Sequence, residues 1–214
     1  MSSGAGESQR RGQRRAEQRR RILEAARVVF FRDGFVKANL DEVAEGAGVA
    51  KGTLYRYFES KAEMYVALLS ADGEVFAQKM RESVADRSVS PAERIRRVSR
   101  FYLRHWRENR EYFQIFWAME NQPLIGELPP GVVEEVTRLW EQCLSVLAEV
   151  VREGRATGDF RECDPWAVAN ILWTLANGII GVETSPAHRN LRPRGLDETY
   201  HEAVEFVIGG LRPI

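Results

Sequence analysis

Lys51, Gly52, Thr53, Tyr55, Arg56 and Tyr57 crowd two cations, two phenols, a hydroxyl and a glycine into seven positions, with no carboxylate among them. An acid-free, hydrogen-bonding face at the start of a helix suits phosphates and base edges in a DNA major groove. Glycine in such a face permits close backbone approach. The plain alternative is a solvated helix whose charges happen to be positive, and the surrounding turn chemistry and basic flank weigh against it. Upstream, Arg10 to Arg21 holds seven arginines and one acid, Glu17. That segment reads as an arm that tracks a nucleic-acid backbone or enters a minor groove. Its bland alternative is a solubilising tail leading into a helix. Arg56 fits a phosphate clamp or a solvated charge.

The elements that must hold this face are legible around it. Leu40, Val43, Ala44 and Ala47 form the inner side of a short helix, Gly48 supplies the positive φ of a sharp turn, and a second helix starts near Lys51. Val49, Leu54 and Phe58 then point into a core. Before them, Ile22, Ala26, Val29 and Phe30 fall at i, i+4, i+7 and i+8 of a first helix, which Gly34 is placed to end. Asn39 with Glu42, Ser60 with Glu63, and Ser90 with Glu93 resemble capping boxes, and Asp164–Pro165 opens another helix. Strand alternation is absent. The expected fold is all-α with about nine helices, and with loops near 85–90, 121–131, 158–164 and 184–195.

Composition is that of a globular protein, 44% hydrophobic and 29% charged. The formal net charge of zero conceals an asymmetry. Residues 1–61 carry 13 Lys/Arg against 8 Asp/Glu (+5), and the remainder 18 against 23 (−5). Only the front of the chain is suited to a polyanion. Cys143 and Cys163 form no framework, fitting buried thiols in a reducing compartment, and no apolar leader follows Met1, so a cytoplasmic location is expected. Residues 165–182 lack charge, but Asn170, Thr174, Asn177, Gly178 and Gly181 interrupt them, whereas a membrane span needs ~20 predominantly apolar residues. A buried helix is expected there instead, and no membrane partner. The Gly46/Gly48/Gly52 spacing is wrong for a nucleotide loop and follows a helix. HExxH, GxSxG and Gly-Lys-Ser/Thr are missing, and the three histidines share no metal spacing. No enzyme activity, catalytic residue, cofactor or metal is expected.

The block RRILEAARVVFFRDGF, followed by NLDEVAEGAGVAKGTLYRYFESKAEM, resembles the DNA-binding domain of the TetR family of transcriptional regulators. The likeness covers about 60 residues. It implies a three-helix reading head joined to a larger helical core that dimerises and usually holds a small-molecule pocket. By position it implies DNA contact at Lys51, Gly52, Thr53, Tyr55 and Tyr57, and a phosphate contact at Lys61. Two residues depart from the family pattern. Ala50 replaces a frequent serine, which removes one hydroxyl contact, and Asn39 replaces a frequent threonine at little structural cost. Asn39 and Arg56 complete the candidate DNA set.

The second half is rich in aromatics, most of them core. Residues 112–120 are apolar nearly all round and read as a central helix. Trp106, Phe116, Met119, Trp140 and Leu144 are the candidate ligand pocket, with Glu120 a candidate polar anchor. Two-fold pairing of 165–182 and the final helix would bury a wide uncharged surface, with Ala169, Trp173, Ala176, Ile180, Tyr200, Val204 and Val207 as the candidate dimer interface. The expected organisation is a disordered basic tail over 1–13, a helix-turn-helix domain over 14–62 with its motif at 39–58, and a ligand-binding and dimerisation domain over 63–214. The expected function is a homodimeric repressor on double-stranded DNA, released from a palindromic operator by a small apolar or aromatic effector. The alternative is a constitutive DNA-binding regulator without an effector.

Overall fold

The computed structural model describes residues 3–110, 113 and 130–213, so the expected pocket residues Phe116, Met119 and Glu120 lie outside the described residues. Among those described there are nine α-helices, one 3-10 turn and no strand. The helices are α1 (Ser3–Lys37), α2 (Leu40–Ala47), α3 (Lys51–Leu54), α4 (Lys61–Ser83), α5 (Pro91–Glu108), α6 (Pro130–Ala156), α7 (Pro165–Gly181), α8 (Pro186–Leu191) and α9 (Leu196–Leu211). The 3-10 turn spans Val182–Thr184. The chain divides into two compact units, residues 1–72 with 111–136, and residues 73–110 with 137–214. That division falls inside α4, after Asp72.

In the first unit, Ile22, Ala26 and Phe30 of α1 are buried with Val43, Ala44 and Ala47 of α2 and with Leu54, Phe58, Met64 and Tyr65. Phe30 and Phe35 both meet the Tyr65 ring edge-on, at 4.9 and 5.0 Å between centroids. α1 is interrupted at Gly34 (φ 71°, ψ 172°), a conformation essentially reserved for glycine. The expected disordered tail over 1–13 is instead helical from Ser3 onward. Arginine, glutamine, glutamate and alanine are good helix formers, and once α1 is anchored by its packed half each added residue extends it by one hydrogen bond.

The caps follow the local sequence. Asn39 Oδ1 accepts from Asp41 N at 2.9 Å, but Glu42 does not complete a box; it pairs with Arg32 at 2.5 Å. Ser60 accepts from Glu63 N, while the Glu63 carboxylate turns back to Glu59 N. Ser90 and Asp164 cap α5 and α7 ahead of their prolines. The expected loop over 184–195 contains a short helix, α8, because Ser185–Pro186 is itself a start signal, with Ser185 Oγ accepting from His188 N at 3.4 Å.

In the second unit, α9 packs on α7 and α5, and α5 also meets α7. Buried Arg94 ties the start of α5 to its neighbours by donating to Val84 O at 2.7 Å and pairing with Glu153 of α6. Among the described residues no helix is long and apolar enough to cross a membrane.

Candidate nucleic-acid interface

The candidate face is built on a turn. Gly48 adopts φ 64°, ψ 41° and its N–H donates to Ala44 O and Glu45 O, which ends α2 and turns the chain into α3. Arg21 of α1 donates from Nη2 to Ala47 O at 2.9 Å, bracing the last turn of α2 from outside. Leu54 and Phe58 are buried and anchor α3 and the turn after it. α3 itself ends at Leu54, so the expected face is divided: Lys51, Gly52 and Thr53 lie on the helix, and Tyr55, Arg56 and Tyr57 on the turn that follows it. Lys51, Gly52, Tyr55 and Arg56 are exposed, and Thr53 and Tyr57 are half-exposed. None of the expected face is buried.

Gly52 is informative for what does not surround it. A Cβ built there meets no protein atom within 4 Å, and its φ is not in the left-handed region. Neither internal packing nor backbone strain therefore calls for glycine, which leaves room for an external backbone or groove wall at that point. Ala50 provides no side-chain cap to α3.

Two residues hold positions the sequence did not foretell. Lys51 Nζ lies 2.9 Å and 3.0 Å from the two carboxylate oxygens of Asp41, so the face is not acid-free: α2 lends it a carboxylate that holds the Lys51 ammonium and raises its pKa. Lys61 donates to Val36 O at 3.2 Å and Ala38 O at 2.7 Å, and sits over the Phe35 ring at 5.1 Å. Its ammonium thus closes the chain end following α1, and burial lowers its pKa. Two of its three N–H donors are engaged within the protein. Asn39, the N-cap of α2, is exposed. Arg21 and Asp41 are the site residues that sequence reasoning missed. Their contacts cross between helices, and no spacing rule encodes that.

The remaining candidates separate. Trp106 and Leu144 are buried and Trp140 is half-buried, all in the second unit. The expected dimer residues Ala169, Ala176, Ile180, Tyr200 and Val204 are buried within the single chain, with Trp173 and Val207 half-buried. They fill the core where α7, α9 and α5 meet, so the available surface of α7 and α9 is the opposite one. There Ile171 is 53% exposed and Phe206 75%, beside exposed Ala167, Thr174, Gly178 and Gly210.

The family model described as bacterial regulatory proteins, tetR family, matches residues 22–68, and that of the tetracyclin repressor-like C-terminal domain matches 88–181. The HTH-type transcriptional activator FasR of Mycolicibacterium smegmatis is 28% identical over 208 residues, covering 94% of this chain and 87% of FasR. A transcriptional regulator from Saccharomonospora viridis, solved in complex with choline, matches at TM-score 0.70 and 21% identity, over 93% of this chain and all of that one. The regulator FadR from Bacillus subtilis, solved with stearoyl-CoA, matches at TM-score 0.64 and 18% identity, over 90% and 98%. At these identities the structural likeness is one of fold.

Proposed function

The chain belongs to the TetR family of bacterial regulatory proteins, and on that premise we propose a homodimeric repressor released from a palindromic operator by a small apolar or aromatic ligand. That it is a DNA-binding regulator of transcription is the common property of the family and of its named relatives. The observation that carries the proposal is the outward set on α3 and the turn after it, Lys51 to Tyr57, with Gly52 open to a partner and Leu54 and Phe58 anchoring the segment beneath.

In this reading Lys51, Thr53, Tyr55 and Tyr57 meet the major groove, while Asn39, Arg56 and the third N–H of Lys61 meet phosphates. The two chains pair through the outward face of α7 and α9 around Ile171 and Phe206, where burial of apolar area at roughly 25 cal/mol per Å² supports association. Two-fold symmetry then places half-sites about one helical turn apart, or a multiple of it. The effector is held in the helical second unit, with Trp106, Trp140 and Leu144 among its contacts. It acts by binding better to a dimer whose reading heads stand at a spacing the operator does not accept. Stearoyl-CoA and choline, bound by the two relatives above, are the first ligands to try.

FasR is by name an activator, and this favours a second reading in which the operator-bound dimer promotes transcription. A reporter with the operator at its native promoter separates the two.

The test begins with DNA fragments selected by the purified protein, followed by anisotropy titrations on the recovered site. Tyr55→Ala is expected to abolish binding while leaving the helical fold intact. Undiminished binding by that variant removes α3 as the reading element. If stearoyl-CoA, choline and a panel of apolar metabolites all leave operator affinity unchanged, the ligand-released part is lost.

A further inference from the structure

The arginine-rich segment ahead of Ile22 is part of α1, not a loose strand of chain, and this decides between the two modes open to it. Residues 8–17 are exposed throughout. Arg10, Arg11, Arg14 and Arg15 fall at i, i+1, i+4 and i+5, so they share about 140° of the helix circumference. Among the described residues none of the four makes a hydrogen bond or ion pair. The lone acid in the stretch, Glu17, is held by Arg20 at 2.6 Å. Among the described side chains the stripe is therefore four free guanidiniums, with Glu17, the carboxylate on its C-terminal side, already engaged.

Its attachment is equally specific. Arg19 lies over the Phe58 ring at 4.9 Å, next to Tyr57, and Arg21 bonds Ala47 O, just before the turn into α3. The helix is thus held to the reading head at two points, Phe58 after α3 and Ala47 at the end of α2. From Arg19 to Arg10 it runs nine residues, about 14 Å at 1.5 Å per residue.

We propose that this helical arm lies along the sugar–phosphate backbone of the DNA flanking the site read by α3, with Arg10, Arg11, Arg14 and Arg15 neutralising successive phosphates. A helix with side chains is about 10–12 Å across and cannot enter a minor groove about 6 Å wide; an extended arm could. The arm consequently adds affinity and footprint but no base preference. The inference rests on the DNA-binding reading above.

Two variants of the full chain test it on a duplex carrying the selected site with flanking DNA at each edge. Replacing all four arginines by glutamine keeps helix propensity and removes the charge. The salt dependence of binding, log Kd against log [KCl], is expected to flatten by as much as about 7 for a dimer, eight guanidiniums at about 0.9 each. The hydroxyl-radical footprint should shrink at both outer edges, with the recovered base preference unchanged. Ala16→Pro keeps every charge but breaks the helix, and is expected to lose the same outer protection. An unchanged slope and footprint in the glutamine variant overturns the arm, whether or not the segment binds anionic phosphatidylserine vesicles instead. Loss in that variant with full retention in Ala16→Pro overturns the helical mode in favour of an extended arm. Absence of any DNA binding by the wild-type chain sinks the DNA-binding reading itself, whereas arm variants that match a binding wild type sink only this inference.

Discussion

The Tyr102 hydroxyl donates to Asn177 Oδ1 at 2.5 Å between α5 and α7, and both side chains are buried. The carboxamide oxygen of the Asn177 that interrupts the uncharged run of α7 is thereby satisfied, as a buried polar atom must be. Tyr102→Phe leaves its oxygen without that donor and is expected to cost about 1–3 kcal/mol. Adding Asn177→Leu should restore part of the loss, because removing both partners is cheaper than removing one. Thermal denaturation of the single and double variants checks this; a double variant no more stable than Tyr102→Phe contradicts it.

The same unit should be sensitive to alkali. Burial pushes the Cys143 thiol up to about 12 and raises the phenols of Tyr102 and Tyr200, while burial raises Tyr65 in the first unit. In the unfolded chain these groups ionise near their ordinary values, about 8.5 for Cys and 10 for Tyr. Above those values the unfolded state releases protons that the native state retains, so stability falls as pH rises. Each group contributes about 1.4 kcal/mol per pH unit to the decline. Urea titrations should show a loss beginning near the thiol value and steepening through the phenol value. Cys143→Ala is expected to delay the onset.

Gly48 and Gly52 should respond oppositely to alanine. At Gly48 a Cβ must adopt φ 64° and would stand 3.1 Å from Arg21 Nη2, against the guanidinium that braces Ala47 O. A loss of about 1–2 kcal/mol is expected from the left-handed backbone alone. At Gly52 a Cβ meets nothing within 4 Å, and stability should hold or rise by about 0.5–1 kcal/mol. Its operator affinity should nevertheless drop at least tenfold. Calorimetry paired with anisotropy distinguishes the two effects, and a Gly52→Ala variant that binds normally would show that no partner occupies that space.

Lys61 should behave as a structural residue as well as a phosphate ligand. Lys61→Met keeps the stem but strips Val36 O and Ala38 O of their donor. A cost of about 1–3 kcal/mol is expected, read as a Tm lower by several degrees in DNA-free protein. A variant with unchanged Tm would mean that water replaces the ammonium without loss.

On α7 and α9, charge should act from outside. Ile171→Glu with Phe206→Glu places carboxylates on the exposed face and is expected to convert a dimer to a folded monomer by sedimentation equilibrium, with helicity retained. Tyr200→Glu, in the core, should unfold the second unit instead. A double-glutamate variant that sediments as a dimer moves the interface elsewhere.

Local chemistry determined much of this protein from the sequence alone. The 3.6-residue stripe of Ile22, Ala26 and Phe30, the caps at Asn39, Ser60, Ser90 and Asp164, and the turn at Gly48 each depend on residues within a few positions of one another. They therefore specified an all-helical chain and the outward set from Lys51 to Tyr57. Tertiary structure decided what depends on distant partners. Asp41 reaches Lys51 and Arg21 reaches Ala47 only because of how α1, α2 and α3 are packed. Lys61 closes the end of α1 from the start of α4, a contact 23 residues away in sequence at Ala38. α7 shows the limit most plainly. With apolar or small residues on nearly every side, its pattern marks no inner face, and only packing against α5 and α9 assigned Ala169 and Ile180 inward and Ile171 to the surface.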